Sequence, residues 1–403
     1  MRVLLVTDVP PSDYFSGTLL TKQLCEFLPQ GSIACFVALD PALNYIKKDH
    51  KPNWIPTEYI AKPRETALQI LPRRIRFLYG YLNELYNCYV NTGRIVKSIV
   101  NFGKMKHVDR IWCILQGQTM IRLALPIKNA LNVSLHTQVW DDPSWWLQSN
   151  GVDRFSSRRI METYKKVIRN SDYFGAASFV MADMYKEEYG VAAVPLVASI
   201  NSQWYTSNKN SYEDKIYIGI AGQLYSAFEW QILLRSLAKV NWRINNKRVI
   251  IRYLGYQINF DPSDPEVKAV NIEFCGYRSQ EETIKIMSEC DVLYCPYPFS
   301  QDFKKISLTS FPSKLTTYLA AGKPVLFHGP GYASPSLFLQ NNNAGLLCPS
   351  LDCKDVIDSL NKLINDKNLS ENLIKNGKIA FQNNLSLDNL RSNFFEFLKI
   401  KES

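Results

Sequence analysis

Short apolar runs alternate with longer stretches of helical spacing along most of the chain. Val3–Thr7, Ile33–Ala38, Ile111–Leu115, Val133–Val139, Tyr173–Ala176 and Val194–Val197 read as strands. Gly17–Phe27, Met120–Leu131, Arg158–Asn170 and Val180–Tyr189 read as helices, and Thr66–Phe102 as one long, mostly helical stretch. Alternation of this kind predicts an α/β protein with a parallel, doubly wound sheet. A second run follows. Ile216–Ala221, Val249–Leu254, Ile272–Phe274, Val292–Cys295, Val325–Phe327 and Gly345–Leu347 read as strands. Leu233–Val240, Glu281–Cys290, Ser313–Ala321 and Val356–Ile364 read as helices, and Leu387–Ile400 as a terminal amphipathic helix. Ser199–Lys215 is rich in Asn, Ser and Lys with little apolar periodicity, which marks a linker. The pattern therefore predicts domains over 1–198 and 216–385, a linker over 199–215, and a closing helix within 386–403.

A length of 403 residues suits two domains of ordinary size. The formal charge of +10 admits nucleic acid, an anionic membrane or an anionic substrate as partner. No RNP-like, helix-turn-helix or zinc signature accompanies it, so no nucleic-acid partner is expected. The start, Met1–Asp8, is charged too soon for a signal peptide, and no apolar run is long enough to span a bilayer. The nine cysteines form no CxxC pair and read as reduced core residues of a cytoplasmic protein. The four histidines are too scattered to suggest a metal site, and no metal is expected.

The most telling chemistry lies in Phe311–Phe327. Pro312 suits a helix entry, Gly322 a helix stop, and Pro324 forbids continuation before the strand Val325–Phe327. The amides of Ser313, Lys314 and Leu315 would open the helix and face a phosphate. Earlier, Gly219–Tyr225 places Gly222 and Gln223 directly after a strand, where a glycine lets a pyrophosphate approach backbone. An ordinary tight βα turn explains the same residues. In the first half, the strand ending at Val139 runs into Trp140-Asp141-Asp142-Pro143-Ser144-Trp145-Trp146. Paired acids at a strand end can orient hydroxyls or assist proton transfer, and tryptophans offer flat faces to sugar rings. A capping Asp with a hydrophobic flap is the alternative. Ser16-Gly17-Thr18 opens the first helix, either admitting a ligand to backbone or simply capping. Basic and aromatic residues mix in Leu71–Leu82, and Arg154, Arg158, Arg159, Lys165, Lys166 and Arg169 add a second basic zone. These suit either a peripheral membrane face or a solvated helix.

The segment Pro312-Ser313-Lys314-Leu315, Tyr318-Leu319-Ala320 and Gly322-Lys323-Pro324-Val325 resembles the donor-site helix of GT-B glycosyltransferases, above all family 4, also called group 1. Gly222 and Phe274–Arg278 resemble further family segments. The resemblance implies two Rossmann-like domains facing a central cleft, and transfer of a sugar from a nucleotide sugar, UDP- or GDP-linked, to a hydroxyl acceptor. It implies retention of configuration, no cofactor beyond that co-substrate and no metal. It also implies a glycan or lipid-linked acceptor in surface polysaccharide or glycolipid assembly, with the enzyme at the inner face of the plasma membrane. Donor contacts would fall to Gly17, Gly222, Gln223, Tyr277, Arg278, Ser313, Lys314, Leu315 and Thr317, with Tyr277 and Arg278 at the nucleobase. Asp141 and Asp142 would be the catalytic pair, and Trp145, Trp146 and His328 would meet the acceptor. The chain departs from the family at two glutamate positions, occupied by Thr309 and Thr317, and at an arginine position, occupied by Gln223. A binding or scaffold protein with a degenerate donor site is the rival reading.

Overall fold

The structure is a computed structural model that describes residues 1–13, 16–46, 54–65, 72–201, 203, 214–224, 226–255 and 271–400. The predicted linker Ser199–Lys215 lies largely outside them, as do Tyr225 and the start of the stretch Thr66–Phe102. The chain divides into two compact units, Met1–Val197 with Arg391–Ser403, and Ala198–Leu390.

The N-terminal unit holds a parallel sheet of β1 (Val3–Thr7), β2 (Ile33–Leu39), β3 (Thr57–Ala61), β4 (Arg110–Ile114), β5 (Ser134–Val139), β6 (Tyr173–Ala176) and β7 (Ala193–Pro195). Their order is β3-β2-β1-β4-β5-β6-β7. Every residue of β1 and β2 is buried, as expected for strands covered on both faces. β3 escaped the sequence reading because it is a half-exposed edge strand, Thr-Glu-Tyr-Ile-Ala, without an apolar run. The reading also missed a helix at Pro143–Ser149. The long helical stretch resolves into Arg73–Tyr86, a π-helical turn Asn87–Asn91, and Thr92–Met105. Residues from 391 on in the last helix, Leu387–Leu398, pack in this unit. Phe394 meets Trp112 edge-on at 4.9 Å, and the His136 Nδ1–H donates to the Phe397 carbonyl at 2.5 Å.

The C-terminal unit holds β8 (Lys215–Ala221), β9 (Arg243–Ile244), β10 (Lys247–Leu254), β11 (Ile272–Gly276), β12 (Val292–Pro296), β13 (Val325–His328) and β14 (Leu346–Cys348). The order is β11-β10-β8-β12-β13-β14, all parallel, with short β9 antiparallel to β10. Both sheets thus reverse direction of winding once, between β1 and β4 and between β8 and β12. Ligands bind outside the carboxyl ends of strands at such reversals. Helices Lys304–Thr309, Ser334–Asn342 and Lys367–Ala380 were not anticipated, and the helix read from Leu233 begins at Ala227.

Candidate functional site

At the carboxyl edge of the C-terminal sheet, three adjoining strands end in glycines with positive φ: Gly222 (+81°), Gly255 (+149°) and Gly276 (+68°). Other residues resist that backbone, so the edge is built of bare main chain. The Gly222 N–H donates to Leu254 O at 2.8 Å and the Gly255 N–H to Gly276 O at 3.1 Å. The Tyr253 hydroxyl donates to the Gly222 carbonyl at 2.9 Å. A Cβ on Gly222 would approach only the Lys314 Cε, at 4.0 Å.

The helix Ser313–Ala320 is seated on this edge by Tyr318, whose hydroxyl accepts the Ala221 N–H at 2.8 Å. Pro312 precedes it, and no side chain caps its start. The Leu315 N–H donates to Pro312 O at 3.0 Å, so Leu315 does not supply the expected third amide for a phosphate. Ser313 and Lys314 stand at the opening. The Lys314 ammonium donates to the Gln223 carbonyl at 2.8 Å. Burial lowers its pKa, so this cation is held at a cost that a bound anion would offset. Gln223 itself is exposed. Gly222, Gln223, Ser313 and Lys314 are thereby brought together from two distant segments. Two carbonyl-directed bonds account for the threonines: Thr317 Oγ1 donates to Ser313 O at 3.4 Å and Thr309 Oγ1 to Lys305 O at 2.9 Å. Neither proton is offered outward, the usual fate of a mid-helix threonine.

Tyr277 and Arg278 follow β11 on the same edge, with β10 between them and Gly222. Tyr277 is 66 % exposed, and an Arg278 guanidinium N–H donates to the Tyr277 carbonyl at 2.9 Å. His328 requires a correction. It is fully buried at the end of β13, its Nε2–H donates to Ser350 O at 2.7 Å, and its Nδ1 accepts from the Tyr294 hydroxyl at 2.5 Å. Burial pushes the ring down to about 4, so it is neutral and internally saturated, with no atom to give an acceptor. Sequence reasoning passed over Glu229, which is buried and accepts the Phe299 N–H at 2.8 Å, fixing the loop after β12.

The N-terminal unit corrects two more expectations. Asp142 is 4 % exposed and caps the helix Pro143–Ser149 through the Ser144 N–H at 3.0 Å. Its other oxygen accepts from the Tyr185 hydroxyl at 3.0 Å, which in turn accepts from Tyr164 at 2.9 Å. The carboxylate is a structural hub, and the capping alternative is the one the geometry supports. Trp146 belongs to the core, 5 % exposed, and presents no face for a sugar; Trp145 is half-buried against that core. Gly17 is partly exposed and packs on Trp140, whose ring a Cβ there would approach to 2.8 Å. Of the acidic pair only Asp141, half-buried, stays a candidate for meeting an acceptor.

A charged group that the sequence did not reveal sits at the carboxyl ends of β1, β3 and β4. The Lys62 ammonium bridges Asp8 at 3.1 Å and Glu65 at 2.9 Å. Glu65 accepts the Thr119 N–H at 2.5 Å, at the start of helix Gln118–Leu131. Glu84 pairs with Arg122, which also donates to Gln118 Oε1 at 3.0 Å. Asp8 and Lys62, Glu65 and Thr119, and Glu84 and Arg122 lie dozens of residues apart, and no local pattern announces them.

Chemically, among the described residues the C-terminal edge brings main chain and the buried Lys314 together, an arrangement that suits an anion. Residues 205–380 match the family model of glycosyl transferases group 1. The Anabaena protein HepE, solved in complex with UDP, is 13 % identical and superposes over 99 % of this chain and 100 % of its own with a TM-score of 0.67. Sucrose-phosphate synthase from Thermosynechococcus elongatus is 13 % identical over 99 % of this chain and 98 % of its own, with a TM-score of 0.66. The lipopolysaccharide outer core galactosyltransferase WaaB is 11 % identical over 99 % of each chain, with a TM-score of 0.64. No curated protein matches the sequence.

Proposed function

Because the chain is a glycosyltransferase of the GT-B fold, with a group 1 domain over residues 205–380, we propose that it transfers a sugar from a nucleoside-diphosphate sugar to a hydroxyl acceptor, with retention, in polysaccharide or glycolipid assembly. The observation that carries this reading is the meeting of Lys314 with the Gly222–Gln223 backbone at the winding reversal of the C-terminal sheet. There the diphosphate would take the Ser313 and Lys314 helix opening and the Lys314 ammonium. As the glycosidic bond breaks, charge grows on the leaving phosphate, and those fixed donors stabilise it without rearranging. UDP is the favoured carrier, since HepE was solved with UDP. Tyr277 and Arg278 would meet the base. Ribose recognition falls to Thr317, whose hydroxyl lone pairs are weaker acceptors than a carboxylate.

A membrane contact belongs to the same reading. Ile75, Leu78, Leu82, Tyr86, Tyr89 and Val90 recur at helical spacing and are all at least half exposed. Phe155 extends this surface, its ring 6.4 Å from Phe77, on a helix whose Arg154, Arg158, Lys165, Lys166 and Arg169 are exposed. An apolar stripe beside a basic helix fits the interface of an anionic leaflet. No helix among the described residues is long and apolar enough to cross a membrane.

Calorimetric titration with UDP-, GDP-, ADP- and CMP-sugars tests the donor assignment. Binding of one nucleotide class, lost in Lys314→Met, is expected. A folded protein that answers to none of them would favour a binding protein without transfer.

A further inference from the structure

We propose that Tyr297 is a positioning residue for the donor site: by tying together the two ends of the segment 297–310, it sets where the opening of helix Ser313–Ala320 stands beside Gly222 and Gln223. That the ligand there is a nucleoside diphosphate rests on the glycosyltransferase reading. That Tyr297 holds the opening rests on the contacts of one buried side chain.

The helix does not fix its own start. Pro312 stands at the cap position, has no N–H to donate, and no side chain caps the first turn. The body of the helix is held by Tyr318, whose hydroxyl accepts the Ala221 N–H at 2.8 Å. The chain that enters it is an excursion from the end of β12, through the 3-10 turn Gln301–Phe303 and the helix Lys304–Thr309, to Ser310. Where so long a connection ends depends on what joins its two ends. A helix opening binds an anion through N–H direction, so small displacements lengthen and bend those bonds.

Tyr297 joins the ends. Its N–H donates to the His328 carbonyl at 2.8 Å, continuing the pairing of β12 with β13. Its hydroxyl donates to the Ser310 carbonyl at 3.3 Å, three residues before Ser313. The residue is 3 % exposed, its ring lies 5.7 Å from that of Phe327, and a Cβ on Gly329 would come within 2.6 Å of its own Cβ. Packing therefore locks the side chain, and the hydroxyl acts as a fixed post. Glu229 steadies the same loop from the side of β8. Its buried carboxylate accepts the Phe299 N–H at 2.8 Å, and Ser226 at the start of the same helix donates to the Pro296 carbonyl at 3.2 Å. These bonds tie the loop after β12 to the helix that follows Gly222 and Gln223. Beyond Ser310, the Phe311 ring meets Phe338 edge-on at 5.2 Å, which holds the last step before Pro312. Gly222, Gln223 and Ser313 are themselves exposed, so a ligand reaches the opening that the buried tyrosine sets.

The test uses the full chain, with UDP and UMP as probes in calorimetry and amide hydrogen exchange followed without nucleotide. Tyr297→Phe keeps the ring and removes only the hydroxyl. UDP affinity should fall about fivefold, the effect of one ordinary hydrogen bond, while affinity for UMP, which lacks the terminal phosphate, should change by less than about twofold. Glu229→Ala should act in the same direction. Glu229→Gln keeps an oxygen for the Phe299 N–H and should recover most of what Glu229→Ala loses. Without nucleotide, the amides of 310–316 should exchange faster in Tyr297→Phe, with those of β8 and β10 unchanged. A general loosening of the unit would weaken both nucleotides alike and speed exchange throughout, and that result overturns the proposal. UDP affinity and exchange both left unchanged by Tyr297→Phe overturn it as well. If the unaltered protein binds neither nucleotide, the donor reading falls, while the exchange rates still decide whether Tyr297 sets the helix opening.

Discussion

At the carboxyl edge of the C-terminal sheet, Gly222 and a buried lysine meet at a helix opening; at the corresponding edge of the N-terminal sheet stand Asp8, Lys62 and Glu65. The winding of the two sheets is the same. What differs is which groups the strand ends carry. In the C-terminal unit a buried lysine stands beside main chain at a helix opening; in the N-terminal unit two carboxylates hold a lysine between them. One scaffold geometry thus carries two charge arrangements, and the residues after the strands decide which.

The largest expected effect tests a polar device both units share, a buried neutral histidine. His136 and His328 each have a pKa held near 4 by burial, against an ordinary 6.5. The stability each provides is full above pH 6.5 and is lost as pH falls through 4. Depressions of this size correspond to up to about 3 kcal/mol per ring. Urea midpoints at pH 7 and pH 4.5 should fall steeply, and less so in His136→Gln or His328→Gln. If the two substitutions differ strongly in this respect, the units do not share the device.

Lys314→Met comes next. It should cut UDP affinity about a hundredfold, as for a lost charge-assisted contact, with no loss of thermal stability because a buried ammonium is removed. Should Asp8→Asn weaken UDP binding more than Lys314→Met does, the contrast between the two edges collapses. Gly17→Ala places a methyl 2.8 Å from the Trp140 ring and should lower stability by about 1–3 kcal/mol, read from a denaturant midpoint. An unchanged midpoint would show that the loop after β5 yields. Thr317→Glu should sharpen the C-terminal edge, raising UDP affinity about tenfold through charge-assisted bonds to the ribose. Leu82→Ser, at a position 54 % exposed, should change stability by less than about 0.5 kcal/mol yet reduce binding to anionic vesicles.

The strands were legible because burial on both faces leaves unbroken apolar runs such as Val3–Thr7 and Ile33–Leu39. β3 and the helix Ser334–Asn342 were not, since one is polar at its edge and the other has little apolar periodicity. The helix Ser313–Ala320 was legible because its proline entry, glycine stop and following strand are consecutive in sequence. The Asp141–Trp146 run misled for a related reason. Acids and tryptophans side by side suggest a sugar site, but a proline after Asp142 made that carboxylate a cap, and helical spacing turned Trp146 into the core. The Asp8 cluster was invisible, because its members come from strand ends that only the fold brings together.

The helix Arg73–Tyr86 and its π-helical extension are turned inside out. Glu84 and Asn87 are buried, while Leu78, Leu82 and Tyr86 meet water. These side chains present apolar surface to water, which a surfactant can cover. A mild non-ionic detergent below its micelle concentration should raise the melting temperature of this protein, where for most water-soluble chains it does nothing or harm.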